Sequence, residues 1–153
     1  MDDLIDLGIL PESFKSYQQT YIGVFDIETL QTKVENEECN ALVYEAIQYP
    51  VSIGFASNVP GVEEKFFCRA SSDPEDGYEM VKSFIDYLYE AEKKFQETIP
   101  AELFDAQEKI SILLKQKFSK EKAKHQTLDK FLKRLTRFNV FGYNCSRYDV
   151  PGE

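Results

Sequence analysis

Cysteine and histidine are scarce in this chain of 153 residues, and those present lack the spacing of a metal or disulfide framework. Cys39, Cys68 and Cys145 form no Cys-x-x-Cys pair, which excludes a zinc knuckle and argues against a disulfide framework. We therefore expect three reduced thiols in an intracellular setting. His125, the only histidine, stands among lysines, so we expect it to be exposed to solvent.

Long apolar runs and a basic leader are also missing. No apolar run approaches the roughly 18 residues of a membrane span. The N-terminus, MDDLIDLGIL, is acidic where a signal peptide would be basic. We therefore expect an intracellular protein with no membrane partner, although the sequence does not distinguish nucleus, cytoplasm and mitochondrion.

The chain does have enough apolar side chains for a core, and its charge is unevenly distributed. Hydrophobic residues are 42% of the chain, with 12 Phe and 9 Tyr, which excludes wholesale disorder. The net charge is −9, but residues 1–114 carry 8 basic and 23 acidic side chains, whereas residues 115–147 carry 10 basic and 2 acidic. The basic stretch can neutralise nucleic-acid phosphates or be the solvated face of a helix, and the sequence leaves both open.

The pattern of apolar residues predicts three strands, three helices and a fourth strand. The predicted strands are 21–27, 49–57, 62–70 and 138–144, and the predicted helices run from 71–77 to Pro100, over 101–118 and over 126–137. The turn sequence NVPG, 58–61, predicts an antiparallel hairpin between the second and third strands. The fold class is therefore α/β with a mixed sheet, in the order in which a ribonuclease H-like fold begins. We assign residues 1–20 to an N-terminal arm and about 96–137 to a helical insertion.

Two carboxylates lie at the end of the first predicted strand. Asp26 and Glu28 are two residues apart, so along a strand they project from the same face. Carboxylate oxygens in this arrangement are ligands for Mg²⁺ or Mn²⁺. An Asp-x-Glu pair also occurs by chance on the surface of acidic proteins, so alone it does not define a site.

A second group of polar residues follows the last predicted strand. The sequence NCSRYD, 144–149, brings an amide, an aromatic ring and a carboxylate to the point where that strand ends. Asn144 can hydrogen-bond a base or sugar, Tyr148 can pack beneath it, and Asp149 can supply a third carboxylate. Taken alone, the segment favours an Asn turn followed by a helix-capping Asp.

Together the two motifs resemble a known family. VFDIET, 24–29, is similar to the first motif of the 3′–5′ proofreading exonucleases of family-B DNA polymerases, and GYNCSRYD, 142–149, is similar to their second motif. YPVSIGF, 49–55, and NCSRYDVP, 144–151, are most similar to the protein-primed branch, which serves viruses, organellar linear plasmids and transposons. The resemblance spans roughly 21–151. It implies part of a DNA-directed DNA polymerase that carries an exonuclease of ribonuclease H-like fold.

The resemblance also implies roles for individual residues. The catalytic and metal-binding carboxylates, which would hold two Mg²⁺ or Mn²⁺ ions, are Asp26, Glu28 and Asp149. The residues that would bind the single-stranded 3′ end of DNA are Asn144, Thr29 and Tyr148. The implied reaction is hydrolysis of the terminal phosphodiester, and a terminal protein primer is an implied partner of the full polymerase.

The family pattern is incomplete in this sequence. The fourth acid of the family, in a Tyr-x-x-x-Asp helix, and the polymerase palm do not occur in residues 1–153. We therefore expect a domain truncated after its fourth strand and a chain that is inactive in isolation. One alternative is a catalytically decayed fragment that binds nucleic acid or protein. Another is an unrelated α+β module in which Asp-x-Glu is accidental.

Overall fold

The structure, a computed structural model, describes residues 1–33, 46–115 and 122–143. Its elements in chain order are α1 (Asp2–Asp6), a 3-10 helix (Glu12–Ser16), β1 (Ile22–Lys33), β2 (Ala46–Ser57), β3 (Lys65–Cys68), α2 (Pro74–Thr98), α3 (Ala101–Lys115), α4 (Lys122–Leu135) and β4 (Asn139–Gly142). The chain forms two compact units. The helical unit combines Met1–Tyr21 with Phe95–Asn139, and the sheet unit combines Ile22–Lys94 with the segment that begins at Val140.

The longest helix begins and ends where the sequence predicts. Asp73 precedes α2 and its carboxylate accepts a hydrogen bond from the backbone N–H of Glu75 at 3.0 Å, which satisfies a donor of the first turn. Pro74 occupies the first helical position, where its missing N–H is not needed. Pro100 follows the helix end and cannot continue it. Across the described ranges, no helix is both long and apolar enough to span a membrane.

The four strands form one mixed sheet in the order β3-β2-β1-β4. β1 pairs antiparallel with β2, from Gly23 opposite Ser57 onward, and β2 pairs antiparallel with β3. The predicted α/β class and the predicted hairpin between the second and third strands are therefore confirmed. Because those two pairs are antiparallel, β4 is the parallel member, and it lies at the edge beside β1.

The first strand is longer than the sequence predicts. We expected it to end at Ile27, but β1 continues to Lys33. The extension pairs with the first residues of β2, so the backbone groups on that side are satisfied although most of its side chains are polar. Asp26 and Glu28 therefore lie within the strand and not at its end, which corrects the predicted position.

A β-bulge in β2, with Val51 as its extra residue, lies opposite the end of the carboxylate pair. Glu28 lies opposite Ser52, but the next residue, Thr29, lies opposite Pro50, so the register shifts by one. Pro50 has no N–H for the ladder, and a bulge is one of the few places where a strand tolerates proline. Asp26 and Glu28 precede the shift and keep the regular alternation of side chains.

An aromatic cluster joins α2 to one face of the sheet. The ring of Phe84 lies 5.4 Å from that of Phe25, 6.3 Å from that of Phe55 and 5.7 Å from that of Phe67. These three rings come from three neighbouring strands. Since side chains alternate along a strand, Asp26 and its neighbours at even positions of β1 project from the opposite face.

The helical unit has its own core, which includes the segment assigned to an N-terminal arm. Its most deeply buried side chains are Leu4, Phe95, Leu103, Ile110 and Leu132. Lys124 of α4 forms an ion pair with Asp3 of α1 at 2.8 Å. The hydrogen bond and charge of that lysine lower the pKa of Asp3.

The prediction that His125 is exposed is wrong. The helix begins at Lys122, four residues earlier than predicted, so His125 falls on the same side of α4 as Leu128 and Leu132. All three side chains are buried. Lys122 and Lys124, the nearest lysines among the described residues, are exposed.

The end of α4 provides a test of the helical unit. Thr136 is buried, and its hydroxyl accepts a hydrogen bond from the Gln107 amide and donates one to the Leu132 carbonyl at 3.1 Å. Thr136→Val keeps the shape but leaves that amide without its acceptor, so the free energy of unfolding should fall by about 1–3 kcal/mol. Urea denaturation would measure this. Thr136→Ser retains the hydroxyl and should lose less, and a loss as large as that of Thr136→Val would show that the methyl group matters as much as the hydrogen bonds.

Candidate functional site

The sheet face opposite α2 exposes large aromatic and apolar side chains. Phe66 of β3 is 76% exposed and Tyr143, directly after β4, is 69% exposed. Val24 of β1 lies on the same side, and Gly54 of β2 lies between the two outer strands. We call the surface formed by Val24, Asp26, Gly54, Phe66 and Tyr143 the open face.

A cavity of about 420 Å³ lies on the open face. Gly54 forms its floor, because it pairs with Asp26 on one side and with Phe66 on the other. A Cβ atom at Gly54 would lie 3.1 Å from Cε1 of Phe66, which is closer than most Cβ contacts. The glycine therefore lets the Phe66 ring lie across β2 and leaves space beside Asp26.

Asp26 and Glu28 are the two described members of the predicted carboxylate set. They project from the same face of β1, about 7 Å apart at the usual rise of a strand. Asp26 is half-buried and accepts a hydrogen bond from the N–H of Ile27 at 3.0 Å, whereas Glu28 is exposed. Thr29 directly follows Glu28 in β1, is half-buried and projects from the other face of the sheet.

The end of β4 lies beside the first motif. The N–H of Tyr143 donates to the carbonyl of Phe25 at 2.7 Å. Phe25 directly precedes Asp26, and Tyr143 directly precedes Asn144. The two motifs thus approach each other at adjacent strands, up to the last described residue of the second one.

Three predicted site residues, Asn144, Tyr148 and Asp149, lie outside the described residues. Within the described ranges, no three His, Cys, Asp or Glu side chains gather as a metal site would require. That search contains only two of the three predicted carboxylates. Those two fit a divalent cation in their chemistry, because both present hard oxygen ligands on one face beside an open cavity.

The charge of the cavity favours a cation. Glu64 also lines it, so two carboxylates face the same space, and none of the described lining residues is basic. A phosphate entering this space would be repelled unless a cation neutralised the carboxylates first. A phosphate that lies inside the cavity should therefore depend on a divalent ion.

The sequence analysis missed three residues that line the cavity, namely Gly54, Glu64 and Phe66. A glycine inside a strand often marks a place where a ligand or another group comes close, so Gly54 carried a usable signal. Phe66 carried none, because Phe66 and Phe67 are both aromatic and the pattern does not show which of them faces α2.

Comparison of the chain with protein-family models, curated proteins and solved structures finds no match. The resemblance to polymerase exonucleases therefore depends on the quoted motifs alone.

Proposed function

We propose that this chain carries the metal-binding part of a 3′–5′ exonuclease domain of ribonuclease H-like fold, belonging to a family-B DNA polymerase. The observation that carries the proposal is the approach of the two motifs. β1, with Asp26 and Glu28, is the neighbour of β4, which leads into Asn144. These strands are distant in the sequence, and an accidental Asp-x-Glu pair gives no reason for them to be neighbours.

In this proposal Asp26, Glu28 and Asp149 hold the cations, which are Mg²⁺ or Mn²⁺. When bound, such cations neutralise charge on the scissile phosphate and lower the pKa of a bound water, which generates the nucleophile. The chain's own contribution is a rigid strand that fixes two carboxylates on one face of the sheet. The half-burial of Asp26 limits the positions that its carboxylate can adopt.

The proposed substrate is the single-stranded 3′ end of DNA. Asn144 and Tyr148 contact the terminal nucleotides in this proposal, whereas Thr29 projects from the other face of β1 and does not. The open face adds the rings of Phe66 and Tyr143, which are exposed and can stack with any of the four bases. Sequence-independent stacking suits an enzyme that removes whichever nucleotide is terminal.

The proposal can be tested by measuring how strongly the chain binds a labelled strand that has a 3′ end and one that has none. Fluorescence anisotropy would compare a linear oligonucleotide, with phosphorothioate linkages that resist hydrolysis, and a circular strand of the same sequence. Mn²⁺ should strengthen binding of the linear strand about tenfold or more, which corresponds to about 1.4 kcal/mol. The circular strand should gain much less, because it offers no terminus to the site.

Two variants separate the proposed roles. Asp26→Asn should remove the Mn²⁺-dependent gain, because the substitution removes a ligand charge. Asn144→Ala should weaken binding of the linear strand by about 1 kcal/mol and leave Mn²⁺ affinity unchanged, because an amide that contacts DNA is not a metal ligand. An equal Mn²⁺-dependent gain for linear and circular strands would contradict the proposal.

A binding module without catalysis is the second candidate. The observation that favours it is the open face, whose exposed rings suit single-stranded nucleic acid whether or not a metal is held. If the linear and circular strands bind equally well without Mn²⁺, and Phe66→Ala weakens both, this second function is the correct one.

A further inference from the structure

Cations gather on one side of α4. The cationic side chains on this side are Lys122, Lys130, Lys133 and Arg134. Because successive helical residues are about 100° apart, these four lie within about 120° of the helix circumference. Together with Arg137, just beyond the helix, they form what we call the basic face. All five are exposed. The buried residues of α4, among them Leu128 and Leu132, lie on the opposite side.

Ion pairs among the described residues do not account for the basic face. Lys133 forms an ion pair with Asp129 at 2.7 Å. The other four cations make no ion pair with any residue of the described ranges. Lys130 and Arg134 are four residues apart, and like charges at that spacing destabilise a helix. The first turn also has no acidic residue, so Lys122 is opposed by the helix dipole.

We propose that the basic face binds the phosphodiester backbone of nucleic acid. From Lys122 to Arg134 the helix rises about 18 Å, the length of about five phosphates along one strand of a duplex. A polyanion on this face would remove the repulsion between the cations. The inference goes beyond the proposed function, because it requires neither a divalent ion nor a 3′ end and concerns residues of the helical unit.

The chemistry of the face favours nucleic acid over a membrane or an acidic protein. A helix that lies on a membrane needs an exposed apolar side, but the apolar side of α4 is buried within the helical unit. A protein partner would need an apolar or aromatic centre to its interface, and the basic face contributes none. Cations alone are sufficient for sequence-independent contact with phosphates.

The test compares two variants of the full chain with the same net charge. The first neutralises the unpaired cations of the basic face by Lys122→Gln, Lys130→Gln, Arg134→Gln and Arg137→Gln. The matched control neutralises four exposed lysines elsewhere by Lys15→Gln, Lys82→Gln, Lys93→Gln and Lys109→Gln. Glutamine has nearly the helix propensity of lysine and arginine, so α4 should persist, and circular dichroism would check this.

Binding would be measured by anisotropy in EDTA with linear DNA, circular single-stranded DNA, duplex DNA and RNA of equal length. EDTA removes divalent ions, and with them any metal-dependent binding at Asp26 and Glu28. A negative result in EDTA therefore counts against the basic face and leaves the exonuclease proposal untouched. If four phosphates are contacted, the affinity of the unmodified chain for a single strand should fall roughly 50-fold between about 50 and 200 mM salt. In the basic-face variant, the slope of the logarithm of the binding constant against the logarithm of the salt concentration should be smaller in magnitude by about 3. The control variant should keep the full slope.

Several results would overturn the inference. Equal weakening of the basic-face variant and its control would mean that only net charge matters. Unchanged binding in the basic-face variant would place the contact elsewhere. Binding to vesicles that contain phosphatidylserine, lost in the same variant and without any nucleic-acid binding, would identify a membrane surface instead. If the fourfold variant fails to fold, Lys130→Gln and Arg134→Gln measured singly should each lower the salt slope by about 0.7.

Discussion

Replacing Phe84 by alanine should lower the free energy of unfolding by about 3–5 kcal/mol, the usual cost of removing a buried aromatic ring. Phe84 is 6% exposed and its ring contacts those of Phe25, Phe55 and Phe67, one from each of three strands. The deletion would leave a cavity between α2 and the sheet, which a rigid sheet cannot close. Guanidinium denaturation, followed by circular dichroism, would measure the loss.

Phe66→Ala is the matched control for this variant. It removes the same ring from the opposite face of the sheet, where Phe66 is 76% exposed, so the stability should change by no more than about 0.5 kcal/mol. An equal loss in the two variants would contradict the assignment of a covered and an open face. Binding of single-stranded DNA should show the reverse order, with the larger effect at Phe66.

Manganese should stabilise the chain against heat. At a free Mn²⁺ concentration about 100 times the Kd, binding to the folded state alone adds about 2.7 kcal/mol. For a protein of this size that corresponds to a rise in Tm of roughly 5–10 °C. Asp26→Asn should abolish the rise, because it removes the proposed central ligand from the rigid part of β1. Differential scanning calorimetry with and without Mn²⁺ would measure the effect.

Asp86→Asn is the control for the manganese experiment. Asp86 is exposed on α2, outside the cavity, so this variant should retain the full rise in Tm. A rise that persists in Asp26→Asn would show that Mn²⁺ binds elsewhere on this acidic chain. Without metal, Asp26→Asn should leave the stability unchanged or raise it slightly, since it relieves repulsion from neighbouring carboxylates.

Local signals explain why the helices and the hairpin could be predicted. Asp73 and Pro74 determine where α2 begins, Pro100 follows its end, and the NVPG turn joins β2 to β3, all within a few residues. The end of β1 could not be predicted in this way. Its polar continuation to Lys33 is a strand only because β2 supplies partners from a distant part of the chain.

The two carboxylates of the candidate site could be predicted from the sequence, but the surface around them could not. Asp26 and Glu28 could be proposed because their spacing on a strand brings them to one face. The open face depends on which side of the sheet α2 covers, and aromatic residues at both Phe66 and Phe67 hide that choice. The burial of His125 could not be predicted while α4 was expected to begin after it. Once the helix begins at Lys122, His125 is three residues before Leu128 and seven before Leu132, which places it on their side of the helix.

The central claim is that Asp149 joins Asp26 and Glu28 in one metal site, and Mn²⁺ affinity in a double-mutant cycle tests it most directly. Isothermal titration would give the Kd of the unmodified chain, of Asp26→Asn, of Asp149→Asn and of the combined variant. Each single substitution should weaken binding about tenfold or more, and the combined effect should depart from the sum by about 0.5–3 kcal/mol, as expected for groups that share a ligand. An Asp149→Asn variant that binds Mn²⁺ as tightly as the unmodified chain would contradict the claim.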